Sequence, residues 1–264
     1  MLILKLYPKR QVQTKMGDMM GSVIIPDELI QAMKAAQYVV VLTGAGISAE
    51  SGVPTFREAQ TGLWAQYDPE ELATREAFRR NPQLVWDWYA WRRELVAQAE
   101  PNPGHLALVT LEKIVPHFTL ITQNVDGLHG RSGSQHLIEL HGNLTHTKCF
   151  DNDHAMDTWP ESEQKPPLCP QCSSLLRPDV VWFGENLPRE ALWAAIEATR
   201  ACDLFFSIGT SALVQPAASL PIEAQEQGAI TVEINPQPTP LTRYLDYALQ
   251  GAAGEVLPAL LQRL

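Results

Sequence analysis

The chain alternates short apolar runs with longer amphipathic stretches. Tyr38–Leu42, Phe118–Thr122, Leu204–Ile208 and Ile230–Ile234 are rich in β-branched and aromatic residues with almost no polar alternation, which is the pattern of strands covered on both faces. The stretches between them carry helix-start signals. Asn81-Pro82 and Asn102-Pro103 each place a capping side chain ahead of a proline at the first helical position. Strands alternating with helices predict an α/β fold: a doubly wound, parallel-sheet, Rossmann-like domain. The rhythm stops from about 144 to 177, where Cys, Pro and Asp rise and no long apolar periodicity survives. A small inserted module is expected there.

The ends of the apolar runs carry the chemistry. The first stops in Thr43-Gly44-Ala45-Gly46-Ile47-Ser48. Glycines at the end of a parallel strand let backbone N–H groups approach a pyrophosphate, with positive φ accessible, and Ser48 or a following helix N-terminus can add donors. Gly-x-Gly-x-x-Ala also fits dinucleotide-binding dehydrogenases, but those continue into a helix and a second strand that ends in an acid about 20 residues on. Here Gly52-Val53-Pro54-Thr55-Phe56-Arg57 follows; Pro54 breaks such a helix, and Arg57 brings a cation able to meet a phosphate or carboxylate. Three further strand ends stand out: Gln123-Asn124-Val125-Asp126-Gly127-Leu128-His129, then His141-Gly142-Asn143 after Leu137–Leu140, then Gly209-Thr210-Ser211.

Taken together and in this order, the Gly-Ala-Gly-Ile-Ser, Gln-Asn-x-Asp, His-Gly-Asn and Gly-Thr-Ser segments resemble the sirtuins, NAD-dependent protein-lysine deacylases, from about Asp27 to the C-terminus. The resemblance implies that Gly44, Ala45, Gly46, Ile47, Phe56, Arg57, Gln123, Asn124, Val125, Asp126, Gly209, Thr210, Ser211 and Asn235 bind NAD. Within that set Asn124 and Asp126 hold the ribose and the nicotinamide carboxamide, Ile47 lies beside the carboxamide, and Phe56 and Arg57 close over the cofactor. It also implies that His141 is the general base, activating a ribose hydroxyl against the O-alkylimidate formed when the acyl-lysine oxygen displaces nicotinamide, so that free lysine, nicotinamide and an O-acyl-ADP-ribose result. An imidazole titrating near neutrality suits that task. His129 is expected to be a structural hydrogen-bonding residue. Val181, Phe183, Gly184 and Glu185, with Ala212-Leu213-Val214, resemble the two strands that clamp an extended acyl-lysine peptide or protein substrate. NAD hydrolysis, ADP-ribosyl transfer and a non-catalytic NAD sensor stand as alternative functions.

The helix expected from Asn81 contains Tyr89 and Arg92, which share a face at i and i+3. They resemble the Tyr-x-x-Arg pair of the desuccinylase and demalonylase branch, and Ala59 fits the small residue that widens its acyl pocket. A guanidinium fork taking a terminal carboxylate, helped by a phenol, gives this pair a physical reason to favour succinyl and malonyl over acetyl groups.

Cys169-Pro170-Gln171-Cys172 is a C-x-x-C pair, which in a cytosolic protein points to zinc or redox chemistry. Sirtuins carry a structural zinc on two such pairs. Here the first is degenerate: Cys149 is present, but Asn152, a poor zinc ligand, stands where the second thiolate belongs. Cys149, Cys169 and Cys172 remain as metal candidates in a degenerate zinc-ribbon-like module. Asp151, Asp153 or His154 could complete the set, water could close it, or the metal could be lost. Cys202 reads as a small core residue.

Composition narrows the remaining choices. A chain of 264 residues, 45% hydrophobic, can bury a full core as one large domain carrying a small insertion. Its formal charge of 20 − 30 = −10 argues against nucleic acid as a partner. No run approaches the ~18 apolar residues of a membrane span, and the amino-terminal apolar stretch is too short and charge-broken for a secretory signal. A cytoplasmic monomer without membrane contact is expected. Residues 1–20 read as a flexible tail, with Met19 or Met20 as alternative starts, and 21–264 as the catalytic domain.

Overall fold

A computed structural model of the protein describes residues 24–54 and 72–264. Among these residues the strands are β1 (Tyr38–Thr43), β2 (His117–Thr122), β3 (Leu137–Glu139), β4 (Gly142–Cys149), β5 (Ala155–Met156), β6 (Leu176–Val180), β7 (Leu204–Ile208), β8 (Ile230–Asn235) and β9 (Tyr247–Gln250). The helices are α1 (Asp27–Ala35), α2 (Arg75–Arg80), α3 (Pro82–Gln98), α4 (Pro103–Ile114), α5 (Leu128–Ser132), α6 (Arg189–Ala201), α7 (Leu220–Glu226) and α8 (Ala253–Leu261).

Six strands form one parallel sheet in the order β3-β2-β1-β7-β8-β9. The side chains of β1 show why its sequence is apolar throughout. Val39 and Val41 pack beneath Leu29 and Met33 of α1, Leu108 and Leu111 of α4 and Val256 and Leu260 of α8, while Val40 and Leu42 meet Ala195 and Ala198 of α6 and Leu220 and Ala224 of α7 on the opposite face. A strand buried on both sides has no solvent face to alternate with. The chain winds outward from β1 in one direction through β2 and β3 and in the other through β7, β8 and β9. The crevice at the carboxyl ends of β1 and β7 is therefore a topological switch point, where open α/β sheets bind ligands.

The two predicted helix starts are α3 and α4. The Asn81 side chain accepts from the Leu84 N–H (3.1 Å), and the Asn102 side chain accepts from the Gly104 N–H (2.9 Å) while its own N–H donates to His105 Nδ1 (3.3 Å). Each cap satisfies donors that the first helical turn leaves open.

The segment expected as an inserted module contains a three-stranded antiparallel sheet, β5-β4-β6. Its strands begin at Gly142 and run to Val180, beyond the 144–177 read from composition, because β4 and β6 pair right up to the junction with the main sheet. Helices α2 and α3 pack on it through Phe78, Val85, Trp88 and Tyr89 against Leu144, Val180 and Trp182. Strand β9 was not legible as a strand: in its four residues only Leu249 is buried. The expected tail, 1–20, lies outside the described residues. No helix among the described residues is long and apolar enough to cross a membrane.

Candidate active site

Two glycine turns meet at the switch point. Gly44 donates to Ile208 O (3.0 Å) and Gly46 to Gly209 O (2.8 Å), so the turns after β1 and β7 lie back to back. A Cβ on Gly44 would sit 2.8 Å from Gly209 O, one on Gly46 2.7 Å from Gly209 Cα, and one on Gly209 2.5 Å from Ile47 N. Only Gly209, at φ +60°, uses left-handed backbone. The expectation of positive φ at Gly44 and Gly46 is corrected: Gly44 is extended (φ −127°), and both residues are glycine because another backbone presses against them. No α-helix follows directly. Short 3₁₀ turns at Ala45–Ile47 and Ala49–Ser51 end at Gly52, φ +77°.

A cavity of about 1230 Å³ opens over these turns, larger than the ~300–1,000 Å³ of a typical single-ligand pocket. Its lining includes Gly44, Ala45, Gly46, Gln123, Asn124, Val125, Asp126, Gly209, Thr210, Ser211 and Asn235 from the set expected to bind NAD, together with His141. It also includes Tyr89 and Arg92, and Val181, Phe183, Gly184 and Glu185. Ile47 is an exception. Its side chain is fully buried in the main core and its carbonyl accepts from Asn102 Nδ2 (2.7 Å), because the 3₁₀ turn rotates it beneath the glycine turn instead of over it. Phe56, Arg57 and Ala59 lie outside the described residues.

Hydrogen bonds fix the polar side chains of the cavity. Ser48 Oγ donates to Asp126 Oδ2 (2.7 Å) and accepts from Asn124 Nδ2 (3.1 Å), while Asp126 Oδ1 accepts from the Leu128 N–H (2.9 Å). Burial raises the Asp126 carboxyl above its usual range, opposed by those hydrogen bonds and by the Arg92 and Arg131 charges. Gln123 Nε2 donates to Thr210 Oγ1 (3.1 Å), and Asn235 Nδ2 donates to Thr210 O (2.8 Å). Three strand ends are thereby tied together across the cavity floor.

His141 lies in the short turn between β3 and β4. Its Nδ1 is 2.9 Å from the Gln123 carbonyl oxygen, an atom that can only accept, so Nδ1 carries the proton and Nε2 carries the lone pair. The His141 carbonyl in turn accepts from the Val181 N–H (2.9 Å). Burial holds the imidazole below its ordinary pKa, and the bond to Gln123 O partly restores it. His129 is buried with its Nε2 2.9 Å from Thr43 Oγ1, and its pKa is pushed down to about 3 by burial and the adjacent His105. It is a neutral internal residue.

On one wall the Tyr89 hydroxyl accepts from Trp182 Nε1 (3.0 Å), which leaves its own proton to donate. Burial pushes this phenol up to about 12, so it stays protonated. The Arg92 guanidinium lies 5.2 Å from the Trp88 ring centroid, and burial lowers its pKa. On the other wall the segment from Val181 to Glu185 continues from β6: the Phe183 N–H donates to Ala73 O (2.9 Å), and a turn at Gly184, φ +82°, brings the Glu185 N–H to Trp182 O (3.0 Å). Glu185 differs from expectation. Its carboxylate turns inward to accept from Arg177 Nη1 (2.5 Å), Arg75 Nη1 (3.2 Å) and the Trp182 N–H (2.9 Å), so it braces this wall. A buried Arg177, 3.3 Å from the Trp182 ring centroid, requires such a partner.

Sequence reasoning passed over several lining residues: Gln237, Pro238, Thr239 and Pro240 after β8, and Arg189 and Leu192 at the start of α6. The alternating prolines at 236, 238 and 240 were the available signal for a shaped loop. Glu233, 3% exposed, anchors it by accepting from the Thr239 and Thr242 hydroxyls.

In the small module Cys149, His154, Cys169 and Cys172 bring their ligand atoms within 4.8 Å of one another. Cys149 Sγ and Cys172 Sγ are 3.5 Å apart, and Cys169 Sγ is 3.6 Å from His154 Nδ1. Ligands on a tetrahedral zinc lie about 3.8 Å apart, so the set fits. His154 is the fourth member among the candidates. Asp151 accepts from Ser174 Oγ (2.6 Å), Asp153 faces Lys148 (4.0 Å), and Asn152 offers Cys149 Sγ its backbone N–H (3.2 Å). Elemental analysis of the purified protein is expected to give one zinc per chain, with His154→Ala losing it to a mild chelator that Asp151→Asn withstands. A metal-free protein with an unchanged melting temperature would refute the site. Cys202, buried and donating to Thr199 O (3.2 Å), is a core thiol pushed up to about 12 by burial.

Comparison with known proteins gives a consistent picture. The model of the Sir2 family matches residues 44–216. An NAD-dependent protein deacylase of Methylococcus capsulatus is 50% identical over 246 residues, covering 90% of this chain and 96% of its own. The crystal structure of a Sir2 homologue in complex with NAD superposes with a TM-score of 0.85 at 46% identity, covering 91% of this chain and 94% of that one. A complex of a mutant Sir2 homologue with 2′-O-acetyl ADP ribose is 48% identical, TM-score 0.83, over 90% and 96% of the two chains.

Proposed function

Given that the chain belongs to the Sir2 family, we propose that it is an NAD-dependent protein-lysine deacylase preferring succinyl and malonyl groups over acetyl. The observation that carries this reading is one cavity lined at once by the paired glycine turns, by His141 and by the Tyr89 and Arg92 pair. NAD, consumed as a cosubstrate, supplies the ribose carbon that accepts the acyl oxygen as nicotinamide departs. The glycine turns let the ends of β1 and β7 close on each other and so form the cavity floor on which the phosphates would lie. Asn124, Ser48 and Asp126 form a pre-positioned polar array, so little reorganisation accompanies a cation-like transition state. His141, with its Nδ1 proton committed to Gln123 O, offers Nε2 to remove a proton from a ribose hydroxyl. The segment from Val181 to Phe183 follows β6 along the cavity and is braced by Glu185, and a substrate backbone can add beside it as a further strand. Tyr89 and Arg92 supply two donors for a terminal carboxylate.

The zinc-fitting cluster shares no residue with the cavity lining, so its role is to hold the module's fold. Domain bounds of about 21–264, with the small module near its middle, and a monomeric state belong to the same reading.

Nicotinamide and acyl-ADP-ribose measured on matched succinyl-, malonyl- and acetyl-lysine peptides test the proposal. Both acidic acyl groups are expected to turn over faster than acetyl; acetyl turning over fastest would refute the preference. The pH profile tests the base. His141 works as the neutral imidazole, and burial lowers its pKa, so the acid limb of kcat/KM is expected below the ordinary value of about 6.5. An acid limb above that value would contradict the assignment.

A further inference from the structure

The mouth of the cavity carries a cation that the reaction does not use. Arg189 is the first residue of α6, is exposed, and lines the cavity together with Leu192, Phe183 and Val214. Among the described lining residues, Arg92 and Arg189 are the two permanent cations. Arg92 lies on the Tyr89 wall, whereas Arg189 stands at the rim. No carboxylate among the described residues, the adjacent Glu190 included, forms an ion pair with Arg189, and Glu185, which shares the cavity lining, is consumed by Arg177 and Arg75. Nor does Arg189 serve its helix. A cation in the first turn faces the positive end of the macrodipole and works against helix stability. One turn on, at i+4 and so on the same side of α6, Trp193 is 61% exposed. An exposed arginine and tryptophan on one side of α6, with Arg189 sharing the cavity lining with exposed Phe183 and Val214, have the composition of a binding anchor.

We propose that Arg189 and Trp193 extend the substrate cleft along α6 and select protein substrates carrying an Asp or Glu within a few residues of the acyl-lysine. The inference rests on the deacylase reading above and adds the sequence preference of the same site. The chain's overall charge of −10 repels acidic segments elsewhere, so a rim cation with no ion pair among the described residues favours docking of such a segment at the cleft. Arg189 contacts the acidic side chain, and Trp193 packs against its aliphatic stem and the adjacent backbone.

The test uses succinyl-lysine peptides scanned on both flanks with Glu, Gln or Lys, and reads the ratio of kcat/KM for the Glu peptide to that for the Lys peptide. At the best position the wild-type ratio is expected to be about five to ten, falling as salt screens the charges. Arg189→Lys should keep a ratio above one, Arg189→Glu should bring it below one, and Trp193→Ala should raise KM for both peptides without changing their ratio. A ratio unmoved by Arg189→Glu overturns the inference, as does an effect of that variant on the KM for NAD alone. If no acyl peptide reacts with the wild-type protein, the deacylase reading fails and takes this inference with it. If peptides react with no charge preference, this inference fails alone.

Discussion

His141→Ala is expected to lower kcat/KM for deacylation by about 10²–10⁴-fold, the usual contribution of a positioned general base. The loss falls on one step. Nicotinamide departs before a ribose hydroxyl must lose its proton, so the variant should still release nicotinamide, or exchange it, in the presence of acyl peptide. A second variant separates basicity from positioning. His141→Asn can place its amide N–H near the Gln123 carbonyl that now accepts from Nδ1 at 2.9 Å, but it has no lone pair in the place of Nε2. It should be as inactive as the alanine variant while melting close to wild type. Recovery of most activity in His141→Asn would show that the imidazole is held for structure only.

Arg92→Met is expected to reduce kcat/KM on succinyl-lysine by about 10³-fold and to leave acetyl-lysine within a few-fold. A site that bonds a substrate's polar end discriminates steeply, whereas an acetyl group never reaches that end. Methionine retains much of the aliphatic stem while removing the guanidinium that lies 5.2 Å from the Trp88 ring centroid, so the change removes charge and donors more than volume. Tyr89→Phe should cost less in specificity and more in stability. Its hydroxyl accepts from Trp182 Nε1 (3.0 Å) in a buried site, and stranding that donor costs about 1–3 kcal/mol. Equal losses on succinyl and acetyl substrates for Arg92→Met would refute the assignment of Arg92 to acyl recognition.

The parallel sheet was legible in the sequence because strands buried on both faces leave an apolar signature that needs no partner to be recognised. The four long runs correspond to β1, β2, β7 and β8, and the helix caps at Asn81 and Asn102 are local chemistry. β9 escaped because its pattern is weak in isolation and depends on pairing with β8. Site residues at strand ends were legible for the same local reason, but orientation was not. Nothing in Gly-Ala-Gly-Ile-Ser says that the isoleucine turns into the core, since that follows from the 3₁₀ turn and from Gly209 pressing against Gly46. Glu185 looked like part of a substrate clamp until Arg177, eight residues earlier and fully buried, claimed its carboxylate. His154 was one of three candidates to complete the cysteine set; choosing it required the β4 and β5 pairing that carries the chain back past Cys149.

Product stoichiometry on a succinyl-lysine peptide tests the central claim most directly. With NAD in excess, mass spectrometry is expected to show one nicotinamide, one unmodified lysine and one O-succinyl-ADP-ribose formed per NAD consumed. Plain ADP-ribose appearing with the peptide still succinylated, or ADP-ribose attached to the peptide, would contradict it and identify the site as one for NAD hydrolysis or ADP-ribosyl transfer.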